Sequence, residues 1–272
     1  SLQRRIEKFE IPEEHRIVVA SKVLKDISDI DFENCYSPEI SRNVLAVLRN
    51  FSSLNDPYGK EKYESNRLML DRYSEFKELI QKSVDPYDTA LRLAIAGNII
   101  DFGPTHNFDI NGTIDKVLSS DFAIDHSQKL FQKINEAKTI LYLGESCGEI
   151  VMDKLFLDTI RHPDVWFAVR EEIVLNDATE KEAREVGIHD FAKIISNGDD
   201  TPSTILRRVS PEFLKVFHSS DLIISKGMGN YEGLMHESDE RIFFLLMVKC
   251  PAIAQKIGAQ KGDFVVKQNG HY

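Results

Sequence analysis

Thr139-Ile140-Leu141-Tyr142-Leu143-Gly144-Glu145-Ser146-Cys147-Gly148-Glu149 is the stretch on which the fold turns. A short β-rich run passes directly into a glycine-bounded polar loop. Downstream, further β-rich runs at 165–169, 173–175, 193–196, 221–225 and 242–248 alternate with helical stretches. Strands separated by helices imply crossover connections, and therefore a mainly parallel sheet covered on both faces. Upstream the pattern changes to helical spacing. Ile17, Val18, Val23, Leu24 and Ile27 mark one helix, and Ile40, Val44, Leu48 and Phe51 mark a second, with Ser37 as its N-cap before Pro38. A long third helix after Gly59 carries Met69, Tyr73, Phe76 and Ile80, and Asp85-Pro86 opens a fourth that runs to Gly97. The expected fold is α/β: a three-layer α/β/α core over residues 101–272, preceded by an all-helical N-terminal subdomain over residues 1–100.

Composition narrows the function. With 42% hydrophobic and 29% charged residues the chain has globular usage, which excludes extended disorder. A net charge of −10 repels phosphate backbones and anionic headgroups, so neither nucleic acid nor membrane is expected as the main partner. Cys35, Cys147 and Cys250 form no CxxC pair and offer neither a disulfide framework nor zinc-finger spacing. No apolar run approaches the roughly 20 residues of a membrane span, and the first residues lack a signal-peptide core. A cytoplasmic location is expected.

Polar residues collect where strands end. Gly144 to Glu149 follow the first run, Asn176-Asp177-Ala178-Thr179 the next, then Asn197-Gly198-Asp199-Asp200 and Lys226-Gly227-Met228-Gly229-Asn230. Loops are polar in any protein and helices need caps. Four such clusters on one edge of a parallel sheet, however, stand where open α/β sheets bind ligands. Glu145 and Asp177 supply hard oxygen ligands suited to magnesium, manganese or a similar cation, and Ser146 adds a neutral oxygen. Lys226 supplies a compact positive charge, and Gly227-x-Gly229 lets backbone N–H groups approach an anion. A metal and a lysine flanking a phosphate follow from these types. Asn98 and Asp101, three apart, share one side of a helical end, unless Asn98 or Gly103 simply stops that helix.

These segments, with Gly97-Asn98-Ile99-Ile100-Asp101, Ser37-Pro38-Glu39-Ile40 and Asp56-Pro57-Tyr58-Gly59-Lys60, resemble the DUF89 proteins, the damage-control phosphatases, in their archaeal and bacterial branch. The resemblance covers nearly the whole chain. It implies a helical N-terminal part, an α/β/α core, and a metal-dependent phosphatase acting on small phosphorylated metabolites such as sugar phosphates. The divalent ion would be manganese, nickel, cobalt or magnesium. In the family pattern an Asp-Asn pair and a later Asp hold the metal. Here the pair falls on Glu145 and Ser146, a longer acid and a residue without the amide oxygen, while Asp177 matches. The same mapping puts phosphate at Lys226, Gly227 and Asn230, with Asn98 and Asp101 near the substrate. Glu149 or Asp101 orients the attacking water.

Two other readings compete. The altered Glu145-Ser146 pair suits a non-catalytic protein that binds metal or phosphometabolite without turnover. The loop from Gly144 to Gly148, with Glu171 or Glu172 as a ribose partner, suits an adenosylmethionine-dependent methyltransferase, though one Gly-x-x-x-Gly carries little weight.

Overall fold

Ile6, Phe9, Val19, Val23, Val44, Leu45 and Leu48 are buried together, and helical spacing puts each set on one face of its helix. They belong to a computed structural model that describes residues 2–97 and 110–270. The expected boundary at residues 100 and 101 lies outside the described residues. The helices α1 (Leu2–Lys8), α2 (Glu13–Ser28) and α3 (Ser37–Arg49) share that cluster. They are followed by α4 (Gly59–Asp71), α5 (Tyr73–Lys82), α6 (Pro86–Gly97) and α7 (Ile110–Ser119). Next come β1 (Ile124–Asp125), α8 (Ser127–Glu136), β2 (Ile140–Leu143), α9 (Glu149–Ile160), β3 (Val165–Val169), α10 (Glu180–Glu185) and β4 (Lys193–Ser196). The chain continues through α11 (Pro211–Ser219), β5 (Leu222–Lys226), α12 (Gly227–Leu234), β6 (Ile242–Met247), α13 (Pro251–Ile257) and β7 (Phe264–Gln268).

Local detail departs from expectation in four places. The helix expected to run on from Gly59 is broken at Arg72 (φ −102°, ψ 3°), whose guanidinium bonds Glu75 and Asn111. Ser37 does not cap α3; Tyr36 does, and its N–H donates to the Glu39 carboxylate at 2.9 Å. Residues 173–175 form no strand. Instead Leu175 is left-handed (φ 49°) and the Asp177 N–H closes a turn onto the Val174 carbonyl at 2.9 Å. The strands β1 and β7 were not expected.

The seven strands lie in the order β1-β7-β6-β5-β2-β3-β4. Pairing is parallel throughout except between β6 and β7, which is antiparallel. The α/β class and the mainly parallel sheet are thus as expected. Helices cover both faces because both faces of the central strands are apolar. Ile140 and Tyr142 of β2 and Leu222 and Ile224 of β5 join a core with α6 and α9. Leu141, Leu143 and Ile223 join the opposite core with Phe213, Phe217 and Tyr231. Met69, Phe76 and Ile80 belong to the first of these cores, so α4 and α5 pack with the sheet's own helices.

This order creates the site. From β2 the chain winds outward through β3 and β4, then returns to place β5 on the other side of β2. At such a reversal the connections leave a crevice beyond the carboxyl ends of the two strands. The end of β2 is packed tightly. Phe167 stacks on Tyr142 (5.3 Å, 14°) and fills the space over Gly144, where a Cβ would lie 2.6 Å from Phe167 Cζ. Phe167→Ala should therefore leave a cavity at the strand that carries the site. A loss of about 3–5 kcal/mol is expected, read from the midpoint of urea unfolding.

Candidate active site

Glu145, the second residue after β2, is held by the turn after β5. Its Oε1 accepts the Gly229 N–H at 2.9 Å, and a Cβ on Gly227 (φ 76°) would overlap Oε2. A Cβ on Gly229 would sit 2.8 Å from Oε1 and 2.5 Å from the Pro202 carbonyl oxygen. The two glycines are thus the space in which the Glu145 carboxylate lies, and any side chain there would expel it.

Asp177 arrives beside it through the strained turn at Leu175. Ser146 and Asp177 form an antiparallel bridge, the Ala178 N–H donates to the Glu145 carbonyl at 2.8 Å, and the Cys147 N–H to the Asn176 carbonyl at 2.9 Å. A left-handed leucine costs of order 1–3 kcal/mol and persists only where surroundings enforce it. Val174 is buried in the cluster of α1 to α3, which supplies that enforcement. Arg170, just past β3, then fixes Asp177: Nε donates to Oδ2 at 2.8 Å, Nη1 to the Ser203 carbonyl at 2.8 Å and Nη2 to Asn230 Oδ1 at 3.1 Å.

The electrostatics are one-sided. Burial pushes the Glu145 carboxyl up to about 8, and the charges of Glu149 and Asp177 add to the shift, while Lys249 and Arg170 oppose it. Burial likewise raises Asp177 against the pull of Arg170. Crowded, buried carboxylates favour a bound proton or, in exchange, a cation.

The open face is a cavity of about 500 Å³. Glu145, Ser146, Asn176, Asp177, Met228 and Gly229 form its floor side, and Ser37, Pro38, Ile40, Ser41 and Val44 of α3 form a wall. Two basic side chains, Arg5 and Lys249, also line it. Neither was foreseen: isolated basic residues carry no sequence signal, and only the fold brings α1 and the end of β6 to this crevice.

Of the residues expected at the site, Glu145, Ser146 and Asp177 meet on the cavity. Lys226 and Asn230 lie beneath it, both fully buried. Lys226 Nζ donates to the Ala94 carbonyl at 2.8 Å, Glu149 Oε1 at 2.7 Å and Asp153 Oδ1 at 2.5 Å. Burial works against the ammonium, but Asp153 and Glu149 overcome it and raise its pKa. Asn230 donates to the carbonyls of Gly144 (3.2 Å) and Lys226 (2.9 Å) and accepts from Arg170 and Thr204. It thereby ties the ends of β2, β3 and β5 together. Gly227 forms the cradle, and Glu149 sits at the first turn of α9 facing Lys226. Asn98 and Asp101 lie outside the described residues.

The donor set fits a hard cation. Among the described residues no group of three or more His, Cys, Asp or Glu is arranged to hold a metal. Two carboxylates with a hydroxyl nearby suit an ion that keeps several waters and completes its shell with substrate phosphate, as magnesium-type ions do. The loop from Gly144 to Gly148 does not suit a nucleoside cofactor. Phe167 occupies the space at Gly144, and the Gly148 N–H donates to Asn66 Oδ1 at 2.5 Å.

A family model described as the damage-control phosphatase ARMT1-like domain matches residues 3–265. The chain belongs to this family. A damage-control phosphatase of Pyrococcus horikoshii is 31% identical over 259 residues, covering 93% of this chain and 88% of the relative. An uncharacterized protein of Methanocaldococcus jannaschii is 33% identical over 264 residues, covering 93% and 86% respectively. A crystal structure of a DUF89 family protein from Pyrococcus horikoshii superposes with a TM-score of 0.87 at 30% identity, covering 98% of this chain and 94% of that one. No helix among the described residues is long and apolar enough to cross a membrane.

Lys226→Met should be costly for stability, because it leaves Glu149 and Asp153 buried without their cation. The expected loss is about 3–5 kcal/mol by chemical denaturation. The double variant that also carries Asp153→Asn should recover part of it. A Lys226→Met protein as stable as the parent would contradict this arrangement.

Proposed function

We propose that the chain is a divalent-metal-dependent phosphatase that removes the phosphoryl group from small phosphorylated metabolites. The observation that carries this reading is the Glu145 carboxylate seated in the Gly227-x-Gly229 cradle beside Asp177, in a cavity that also contains Lys249. The names of the Pyrococcus and Archaeoglobus relatives, both damage-control phosphatases, agree with it.

Glu145, Asp177 and Ser146 would hold the ion, which when bound supplies Lewis-acid polarisation of a phosphoryl oxygen. The remaining roles fall to the chain's own groups. Lys249 offsets negative charge at the reacting phosphate, since its field already acts on Glu145. Arg170 fixes the orientation of Asp177, and Asn230 fixes Arg170. Glu149, anchored by Lys226, adds to the negative field at Glu145, which favours a bound proton or, in exchange, a cation. Lys226 is accordingly a positioning residue. Asn98 and Asp101 keep the substrate-side role that the family resemblance implies.

The test uses metal-stripped protein and a panel of phosphate esters, with magnesium, manganese, cobalt or nickel restored singly. Phosphate release should return with at least one ion and fall more than about 100-fold in Asp177→Ala, whose fold is checked by circular dichroism. Release that needs no metal, or that survives in Asp177→Ala, would count against metal dependence. No release from folded, metal-loaded protein would favour the non-catalytic binding protein.

A further inference from the structure

The two basic side chains of the cavity stand in different settings. Lys249 belongs to the reacting end, where with Arg170 it is the cation acting on Glu145. Arg5 comes from α1 and is held at the wall built by α3: its Nη2 donates to Ser41 Oγ at 3.0 Å. That wall is itself fixed to the sheet edge, through ion pairs of Arg42 and Arg49 with Asp200.

The cavity is rich in carboxylates, yet among the described residues none lies within ion-pair distance of Arg5. Glu232, which also lines the cavity, is met by Ser37 and Lys256 instead. A half-buried guanidinium whose only side-chain partner among the described residues is a hydroxyl retains most of its five donors for a ligand. Its planar fork matches a carboxylate or phosphate in two parallel hydrogen bonds. A cavity of about 500 Å³ also accommodates a whole small metabolite, not a phosphate alone.

We infer that Arg5 is a specificity residue that reads a second anionic group, a carboxylate or a second phosphate, at the end of the substrate away from the scissile phosphate. The inference rests on the phosphatase reading above and names the substrate class: phosphate esters that carry another negative charge.

The test compares matched esters that differ in that charge, phosphoglycerate against glycerol phosphate and fructose bisphosphate against fructose monophosphate. KM and kcat are measured on metal-loaded wild type, Arg5→Gln and Ser41→Ala, and affinities for the same pairs are measured by calorimetry. In at least one pair the doubly anionic ester should show a KM about ten-fold lower in wild type. Arg5→Gln should abolish that preference and leave kcat for the singly charged ester within about two-fold, and Ser41→Ala should weaken it. Equal KM and affinity within both pairs in wild type would overturn the inference. So would an Arg5→Gln effect that is the same for both members of a pair, the mark of a merely structural role. A calorimetric preference that depends on Arg5 without any turnover would sink the phosphatase reading and leave the assignment of Arg5 standing. Turnover without preference would do the reverse, and absence of both would overturn both.

Discussion

The ammonium of Lys226 is the interaction on which the rest of the structure depends. It is wholly buried at the end of β5, where it bonds the last turns of α6 through the Ala94 carbonyl and the first two turns of α9 through Glu149 and Asp153. Tyr142 of β2 donates to the same Asp153 oxygen at 2.7 Å. One charge therefore joins two central strands to two covering helices. A buried ion cluster of this kind adds little net stability over an apolar one, but it tolerates no missing partner. Its value is specificity, since only one packing of α6 on α9 brings all five acceptor and donor groups together. Gly97, whose Cβ would lie 3.2 Å from Glu149 Cα, shows how closely these helices approach.

Above that cluster the balance of charge changes sign. Glu145, partly buried on the cavity, lies beside buried Asp177; desolvation and the charges of Glu149 and Asp177 push its carboxyl up to about 8 against the pull of Lys249 and Arg170. A fold selected for stability alone would not assemble such a group, because each desolvated carboxylate opposes the next. The strained Leu175 lies at the same place. Strain and excess charge in one crevice, at the reversal of strand order, mark where the molecule gives up stability for binding.

The helical N-terminal part does more than cover the sheet. Through α3 it builds one wall of the cavity, through Val174 it supports the turn that delivers Asp177, and through Arg5 it adds a cation. Helices thereby shape one side of the cavity and add a cation to it, while Glu145 and Asp177 come from the sheet edge.

Much of this was legible in the linear order of residues. Strand β3 and strand β4 match their expected bounds, and the helical stripes around Val44 and Phe76 are largely buried as their spacing requires, whereas Ile17, Val18 and Leu24 of α2 stay exposed and Val19 and Val23 carry its buried face. Hydrophobic period is a local property, so it survives in the sequence. The family segments likewise brought Glu145, Ser146 and Asp177 to one edge before any coordinate did. Local pattern could not show that Lys226 and Asn230 point beneath the site. It could not show that Leu175 turns instead of extending, or that Arg5 and Lys249 face the same cavity across more than two hundred residues of chain. The sequence determined by itself most of the helices, the central strands and which residue types gather at the sheet's edge. Only the tertiary structure decided which charges line the cavity and which meet each other, because that depends on burial and long-range approach, and neither has a period along the chain.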